Sequence, residues 1–310
     1  MRSVPTRKAA EGRSIGVPAA LLQSRPLLAA QVLVLLAMAG IVATKLWQDH
    51  VAVGFALVGT AAVLWAPELG QARARRWWFA YVAGIFFYTL LRALADETVV
   101  PIRTAYVIDF DRFLFLGREP VEVLQDAWFS TERVRPLDIG AVLTHWSFFL
   151  TPHLGAVAVF AWRRELFPRY AALVVGTMYA GLLLFFLLPT TPPWLAGQAQ
   201  ELSGVFRVMD FVGGSVDKST YKSFHDSLGE PNSVAAMPSI HMGVTFAMFL
   251  WAWAHYRRAA LPLLLYCAVM GFALVYLAEH YVLDLLVGIL CALAAYAATR
   301  RLAPERPRAE

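Results

Sequence analysis

Apolar residues recur along the chain in eight runs: Leu27–Trp47, Val51–Ala66, Trp77–Ala95, Leu137–Trp162, Tyr170–Leu188, Ile240–His255, Leu261–Leu277 and Tyr281–Ala298. Each comes near the roughly 20 residues that a helix needs to cross a bilayer, the second and sixth being short. The first run has no small-residue cleavage site, so it reads as a retained helix behind a basic tail. Two long segments interrupt the pattern, at about 96–136 and 189–239, and they hold most of the acidic residues. Connections of this length are often functional. In the first of them Pro120 suits a helix start. Val121, Leu124 and Trp128 then share one face of a predicted short helix, opposite Glu122, Gln125 and Asp126. Such a helix either lies in the membrane interface or packs on the bundle, and both placements fit the pattern.

Composition moves the reading from helical to membrane-embedded. A chain of 310 residues would suit two soluble domains, but 59% of it is hydrophobic and only 16% charged. Ordinary globular chains run at about 45–50% and 25%. With 20 Gly, 17 Pro and 2 Cys and no repeat, disorder, collagen and a disulfide scaffold are excluded. The net charge of +5 reports topology rather than nucleic-acid binding, because the arginines cluster between spans. Arg2, Arg7, Lys8, Arg13 and Arg25 fall on one face with Arg73–Arg76, Arg163–Arg169, Arg257–Arg258 and Arg300–Arg308 if there are eight spans. By the positive-inside rule that face is cytoplasmic, with both termini. The predicted fold is therefore an all-α polytopic membrane bundle of about eight transmembrane helices. Its parts are a basic tail (1–26), N-terminal membrane helices (27–95), an outer segment (96–136), a helix bundle (137–299) carrying the outer loop 189–239, and a second tail (300–310).

Cys267 and Cys291 fall mid-span, with no CxxC or Cys/His cluster that suggests a metal site. Two histidine motifs stand out instead. In Met237-Pro238-Ser239-Ile240-His241, Pro238 suits a first helical position. The unpaired amides of the first turn and the helix dipole then suit a phosphate. The Ser239 hydroxyl adds a donor, and His241 is placed to protonate a leaving oxygen. In Glu279-His280-Tyr281-Val282-Leu283-Asp284, His280 and Asp284 are spaced to share a helical face. An aspartate on one ring nitrogen fixes the tautomer and leaves the other nitrogen free to attack. The same pair also suits a cap or a pore lining. The predicted topology brings both histidines to one depth on the outer side, and intramembrane ionisable residues mark sites.

Pro238-Ser239-Ile240-His241 with His280-Tyr281-Val282-Leu283-Asp284 resembles the type 2 phosphatidic acid phosphatase superfamily, chiefly over residues 168–298. The resemblance implies a six-helix core and phosphoryl transfer through a phosphohistidine, without metal or cofactor. It implies His280 as nucleophile, Asp284 as its orienting partner and His241 as general acid. The lipid phosphatases of that superfamily carry a lysine, six residues, then Arg-Pro. Here Trp128 stands in the lysine position before Arg135-Pro136, Ala273-Leu274 replaces their Ser-Arg, and Ile240 replaces a glycine. The hydrophobic Ile240, the HYxxD form, Pro189–Trp194 and Asp111–Gln125 with Gly117 and Pro120 are similar to the inositol phosphorylceramide synthase branch.

The missing phosphate-binding cations need substitutes. Arg103, Arg112, Arg118, Arg133, Arg135, Arg207, Lys218 and Lys222 are the outer candidates, of which Arg135 and Lys222 are preferred. Asn232 is a substrate contact by its nearness to the motif. His145 and His153 read as bundle-lining and His225 as a solvated loop residue. The expected activity is phosphoryl transfer on a membrane lipid, either to a polar alcohol as a phosphotransferase or to water as a lipid phosphatase. A transporter is the non-enzymatic rival, though no repeat of broken segments is evident. The Arg- and Ala-rich composition points to a bacterial plasma membrane.

Overall fold

The computed structural model describes residues 72–93, 100–216 and 235–302. The first two apolar runs, both terminal tails, Lys218, Lys222, His225 and Asn232 lie outside the described residues. Among the described residues the fold is all-helical, with one isolated bridge between Thr190 and Ala235.

The helices in chain order are α1 (Ala72–Ala93), α2 (Ala105–Leu114), α3 (Pro120–Trp128), α4 (Pro136–Ser147), α5 (Thr151–Trp162), α6 (Phe167–Leu187), α7 (Pro193–Gln198), α8 (Val208–Val216), α9 (Ile240–His255), α10 (Arg257–Tyr276) and α11 (Val282–Leu302). Among the described residues three stretches are long and apolar enough to cross a membrane: Arg164–Leu187, Arg257–Tyr276 and Val282–Arg300. Leu261 and Leu265 on α10, Leu290 on α11, and Leu183 and Leu187 on α6 are exposed. Apolar ribbons of this kind are what lipid covers and water does not. The α9 helix, with 16 residues, is about 24 Å long at 1.5 Å per residue.

The fourth apolar run is not the single helix expected. It breaks into α4 and α5, bent by 47°. Pro152 causes the break: it has no N–H to give Phe148, and its ring would clash with that carbonyl. Hydroxyls take up part of the exposed backbone. Thr151 Oγ1 donates to the Ser147 carbonyl at 2.7 Å, and Ser147 Oγ pairs with Tyr266 Oη at 2.7 Å. Counted as one bent span, the pair raises the membrane-crossing elements among the described residues to four.

The bundle centres on α9, which contacts α5, α6, α10 and α11. Lipid tails are as apolar as leucine, so membrane helices associate through close packing and small residues. The crossing of α9 and α11 uses this route. A Cβ on Gly243 would meet the Gly288 carbonyl oxygen at 2.9 Å, and one on Gly288 would collide with the Ser239 carbonyl. The backbones carrying the two histidine motifs therefore touch directly. Antiparallel α4 and α10 are pinned at two levels, by Tyr276 Oη donating to Asp138 and by the Ser147–Tyr266 pair. The α3 helix starts at Pro120, as expected, and packs on the bundle. Val121 and Gln125 are buried, and Gln125 Nε2 donates to the Phe206 and Tyr276 carbonyls at 2.9 Å.

Candidate active site

The start of α11 is built by two carboxylates. Asp284, the third residue of the helix, reaches back so that Oδ2 accepts the Tyr281 amide at 2.9 Å, the returning half of a capping box. Asp111 of α2 supplies the rest of the cap from outside. Its oxygens accept the Val282 amide at 2.7 Å and the Leu283 amide at 3.0 Å. Both carboxylates sit at the positive end of the α11 dipole. Burial pushes the Asp111 carboxyl up to about 6 against these two amide bonds.

His280 therefore lies just before the helix, not on its face as the spacing suggested. The contact arises from cap geometry: His280 Nδ1 faces Asp284 Oδ2 at 3.3 Å. The His280 amide donates to the Leu274 carbonyl at 3.2 Å, folding the turn back along α10. Arg207 grips the preceding residue through a bidentate pair with Glu279, with Nε at 2.9 Å from Oε1, while its guanidinium lies 4.4 Å from the Trp194 ring centroid. Burial works to raise the Glu279 carboxyl, but the Arg207 charge and hydrogen bonds prevail and hold it below its usual range.

Across the site, Ser239 caps α9. Its side chain accepts the Met242 amide at 3.3 Å, and its own amide donates to the Asp284 carbonyl at 2.9 Å. The helix begins at Ile240, so Pro238 precedes the cap instead of opening the helix. One first-turn amide thus already has a partner, and Ser239 is fully buried. His241 Nδ1 faces His280 Nε2 at 3.4 Å. His241 Nε2 is buried without a partner among the described residues. The His241 ring is held by aromatic neighbours, with Phe148 at 4.4 Å, His145 at 4.6 Å and Phe149 at 5.9 Å between centroids. His145 comes from the last turn of α4, and Phe148 and Phe149 from the break that follows it.

Ser239, His241, His280 and Asp284 are thus brought together, and Arg135 is not. Arg135 caps α4, with Nη1 donating to the Trp128 carbonyl at 2.9 Å. His145 lies ten residues further along the same helix, about 15 Å away at 1.5 Å per residue. His145, expected only to line the bundle, instead packs against His241. His153, read the same way, hydrogen-bonds the Tyr81 hydroxyl at 2.9 Å. Asp111, marked in the sequence only as the start of the 111–125 stretch, turns out to cap α11. His145 sits within an apolar run, where an ionisable residue is itself the signal. Among the described residues no three His, Cys, Asp or Glu are grouped to hold a metal ion.

The Pro189–Trp194 stretch is a junction beside this site. The Ala236 amide donates to the Thr190 carbonyl, and the Trp194 amide to the Ala278 carbonyl. Tyr106 Oη pairs with Thr190 Oγ1 at 2.8 Å, and Thr104 with Thr191 at 2.6 Å. A cleft of 790 Å³ opens against it, lined in part by Arg103, Thr104, Tyr106, Asp109, Thr191 and Glu201. The histidines do not line that cleft, but Tyr106 on its wall is within electrostatic reach of Asp284.

Comparison with known proteins agrees with both levels of the motif resemblance. A phosphoinositol dihydroceramide synthase of Bacteroides thetaiotaomicron is 24% identical over 220 residues, covering 66% of this chain and 70% of that protein. No solved structure matches. Residues 105–298, more than half of the chain and the whole of α2 through most of α11, match the family model of the PAP2 superfamily. The chain belongs to the PAP2 superfamily, and together with the synthase relative this points to an enzyme that acts on lipid phosphates.

Proposed function

We propose that the chain is an integral membrane phosphotransferase that builds a phosphodiester head group on a lipid, through a phosphohistidine at His280 and without metal. The observation that carries this reading is the line of atoms from Asp284 Oδ2 through His280 to His241, with steps of 3.3 and 3.4 Å. A carboxylate on Nδ1 holds the proton there and leaves the Nε2 lone pair for phosphorus. In the first step the Nε2–P bond forms and the P–O bond to the leaving alkoxide breaks, with His241 giving that oxygen its proton. In the second, the acceptor hydroxyl passes its proton to His241 while its oxygen attacks phosphorus and the P–N bond breaks.

An alcohol acceptor rather than water is supported by the named activity of the Bacteroides relative and by the cleft beside the site. The cleft has the size of a small-molecule site, and its wall of hydroxyls, carboxylates and Arg103 offers the donors and acceptors a polyol needs. The arginine clusters of the sequence support a cytoplasmic position for both termini and a site on the opposite face.

The test uses the purified full chain in detergent with lipid phosphodiesters labelled at phosphorus. Rapid quenching should trap acid-labile, base-stable label in the wild type, unchanged by EDTA and absent from His280→Ala. Adding an inositol-type acceptor should discharge it into a new lipid diester. Label retained in His280→Ala would overturn the assignment of the nucleophile. Discharge only to a phosphomonoester, with water as the acceptor, would make the enzyme a hydrolase instead.

A further inference from the structure

The face of α2 that turns away from the bundle changes character along its length. Val107, Ile108 and Asp111 are buried, which leaves Ala105, Asp109 and Phe113 on the outward side. Ala105 and Asp109 line the cleft. Beyond Asp109 the outward side is apolar, and the helix runs into the tip Phe113-Leu114-Phe115-Leu116. Leu116 at 94% and Phe113 at 81% are the two most exposed large apolar side chains among the described residues, and Leu114 and Phe115 are exposed beside them. One short helix thus has a polar end and an apolar end.

Three features identify what covers the apolar end. The tip continues the lipid-facing side of the bundle. Asp111, two residues before Phe113, holds the Val282 and Leu283 amides, and the exposed ribbon of Leu286 and Leu290 on α11 begins within a turn of them. The backbone of the tip is also closed on itself. The Phe115 amide donates to the Asp111 carbonyl at 2.9 Å, the Gly117 amide to Arg112 at 2.7 Å and the Arg118 amide to Phe115 at 3.2 Å. Hydrocarbon demands such closure, because it offers no water to an unpaired amide. Finally, Arg112 and Arg118 flank the tip. Leu116 at φ 58° and Gly117 at φ 87° reverse the chain, which brings the two arginine backbones together at its base. Cations behind an apolar tip suit an anionic membrane surface. A second copy of the chain fits less well, since four residues fall far short of the roughly 20–30 a side in a stable protein interface.

We propose that Phe113–Leu116 inserts into the acyl region of the leaflet at the start of α11, with Arg112 and Arg118 on the phosphates of anionic lipid head groups. Of the two helices in the outer segment, α3 packs on the bundle and α2 carries the membrane contact. The two arginines then serve head groups at the surface and not the phosphate at His280. The inference does not depend on the reaction at His280.

The test reads depth with the fluorophore NBD on Phe113→Cys and Leu116→Cys, in the full chain reconstituted into vesicles of phosphatidylcholine and phosphatidylglycerol. Asp109→Cys, on the polar end of the same helix, is the reference. The unsubstituted chain gives the background from the buried Cys267 and Cys291. Fluorescence at 113 and 116 should be lost to a doxyl quencher on the acyl chain and spared by aqueous iodide, and the order should reverse at 109. Loss to iodide at 113 and 116, as at 109, overturns the inference. A probe shielded from both quenchers also overturns it, because protein then covers the tip, from this chain or from a second copy. An arginine near an anionic surface enriches the anionic lipid by about fivefold. Doxyl-labelled phosphatidylglycerol should therefore quench more than doxyl-labelled phosphatidylcholine at equal content. The difference should vanish when Arg112→Gln and Arg118→Gln are combined. Equal quenching by the two lipids with both arginines present overturns the assignment of the arginines.

Discussion

The two histidines of the site are held in opposite ways. Around His280 the contacts are polar and directional: Asp284 on the ring, Asp111 on the following amides, Arg207 on the preceding residue. Around His241 they are aromatic, with Phe148, Phe149 and His145 against the ring and, among the described residues, no carboxylate on either nitrogen. A nucleophile must keep one tautomer and one direction, which requires a fixed acceptor. A group that gives a proton in one step and takes it in the next must not be bound to a strong acceptor in either state. Packing on its faces fixes the plane of such a ring without fixing its protonation. The contrast supports the two different roles proposed for these histidines.

The sharpest way to break the contrast is to vary the leaving group. Loss of a general acid costs roughly 10²–10⁴ in rate. His241→Ala should lose about that much on a substrate with an alcohol leaving group, yet form labelled His280 from an aryl phosphodiester at a rate near wild type, since only the second step then still needs the histidine as base. His280→Ala should lose both. Equal losses for His241→Ala on both substrates would show that the aromatic side does more than protonate.

A smaller effect is expected from Asp111→Ala, which removes part of the polar clamp without touching the histidines. The Val282 and Leu283 amides would lose their acceptor, at about 1–3 kcal/mol each while they stay buried. Thermal unfolding should shift down by about 2–4 °C for each kcal/mol in a chain of this size. Asp111→Asn, which keeps one acceptor, should shift less. An unchanged melting temperature would mean that the clamp does not hold the start of α11.

The smallest effect is a pH dependence. Glu119 caps α3, and burial, with Asp111, Glu122 and Asp284 nearby and Arg112 opposing them, pushes its carboxyl up to about 8. A raised acid binds its proton more tightly folded than unfolded, so stability falls as pH rises from the unfolded value near 4.5 to about 8. Asp111 acts in the same direction up to about 6. Glu119→Gln should flatten the decline in melting temperature between pH 6 and about 8, a window in which Asp111 has already ionised. A slope equal to wild type would remove Glu119 from the account.

What the sequence made legible follows from range. The His280–Asp284 pair and the Ser239 cap are made by residues three or four apart, and spacing alone displays them. Pro152 lay in plain view within the fourth apolar run, and weighing it against that run would have revealed the bend. Asp111 and Val282 are 171 residues apart, and an aspartate at the end of a short amphipathic helix looks like any solvated charge. His145 stands among apolar residues in the chain, whereas the neighbour that matters, His241, comes from another helix. Arg135 was overvalued for the converse reason, since an Arg-Pro pair at a helix start resembles a motif while its guanidinium closes a local turn.

The bend between α4 and α5 has a consequence for timing. The amides of Phe148, Phe149 and Leu150 are held by single-turn bonds to the carbonyls three residues back, not by the ladder of either helix. Such a segment can open while both helices stay intact, so it belongs to the least protected end of the hydrogen-exchange range. The ring that packs most closely on His241 hangs from that segment. The face proposed to carry the travelling proton is therefore the one expected to open first, and the proposed nucleophile is seated on the more firmly held side.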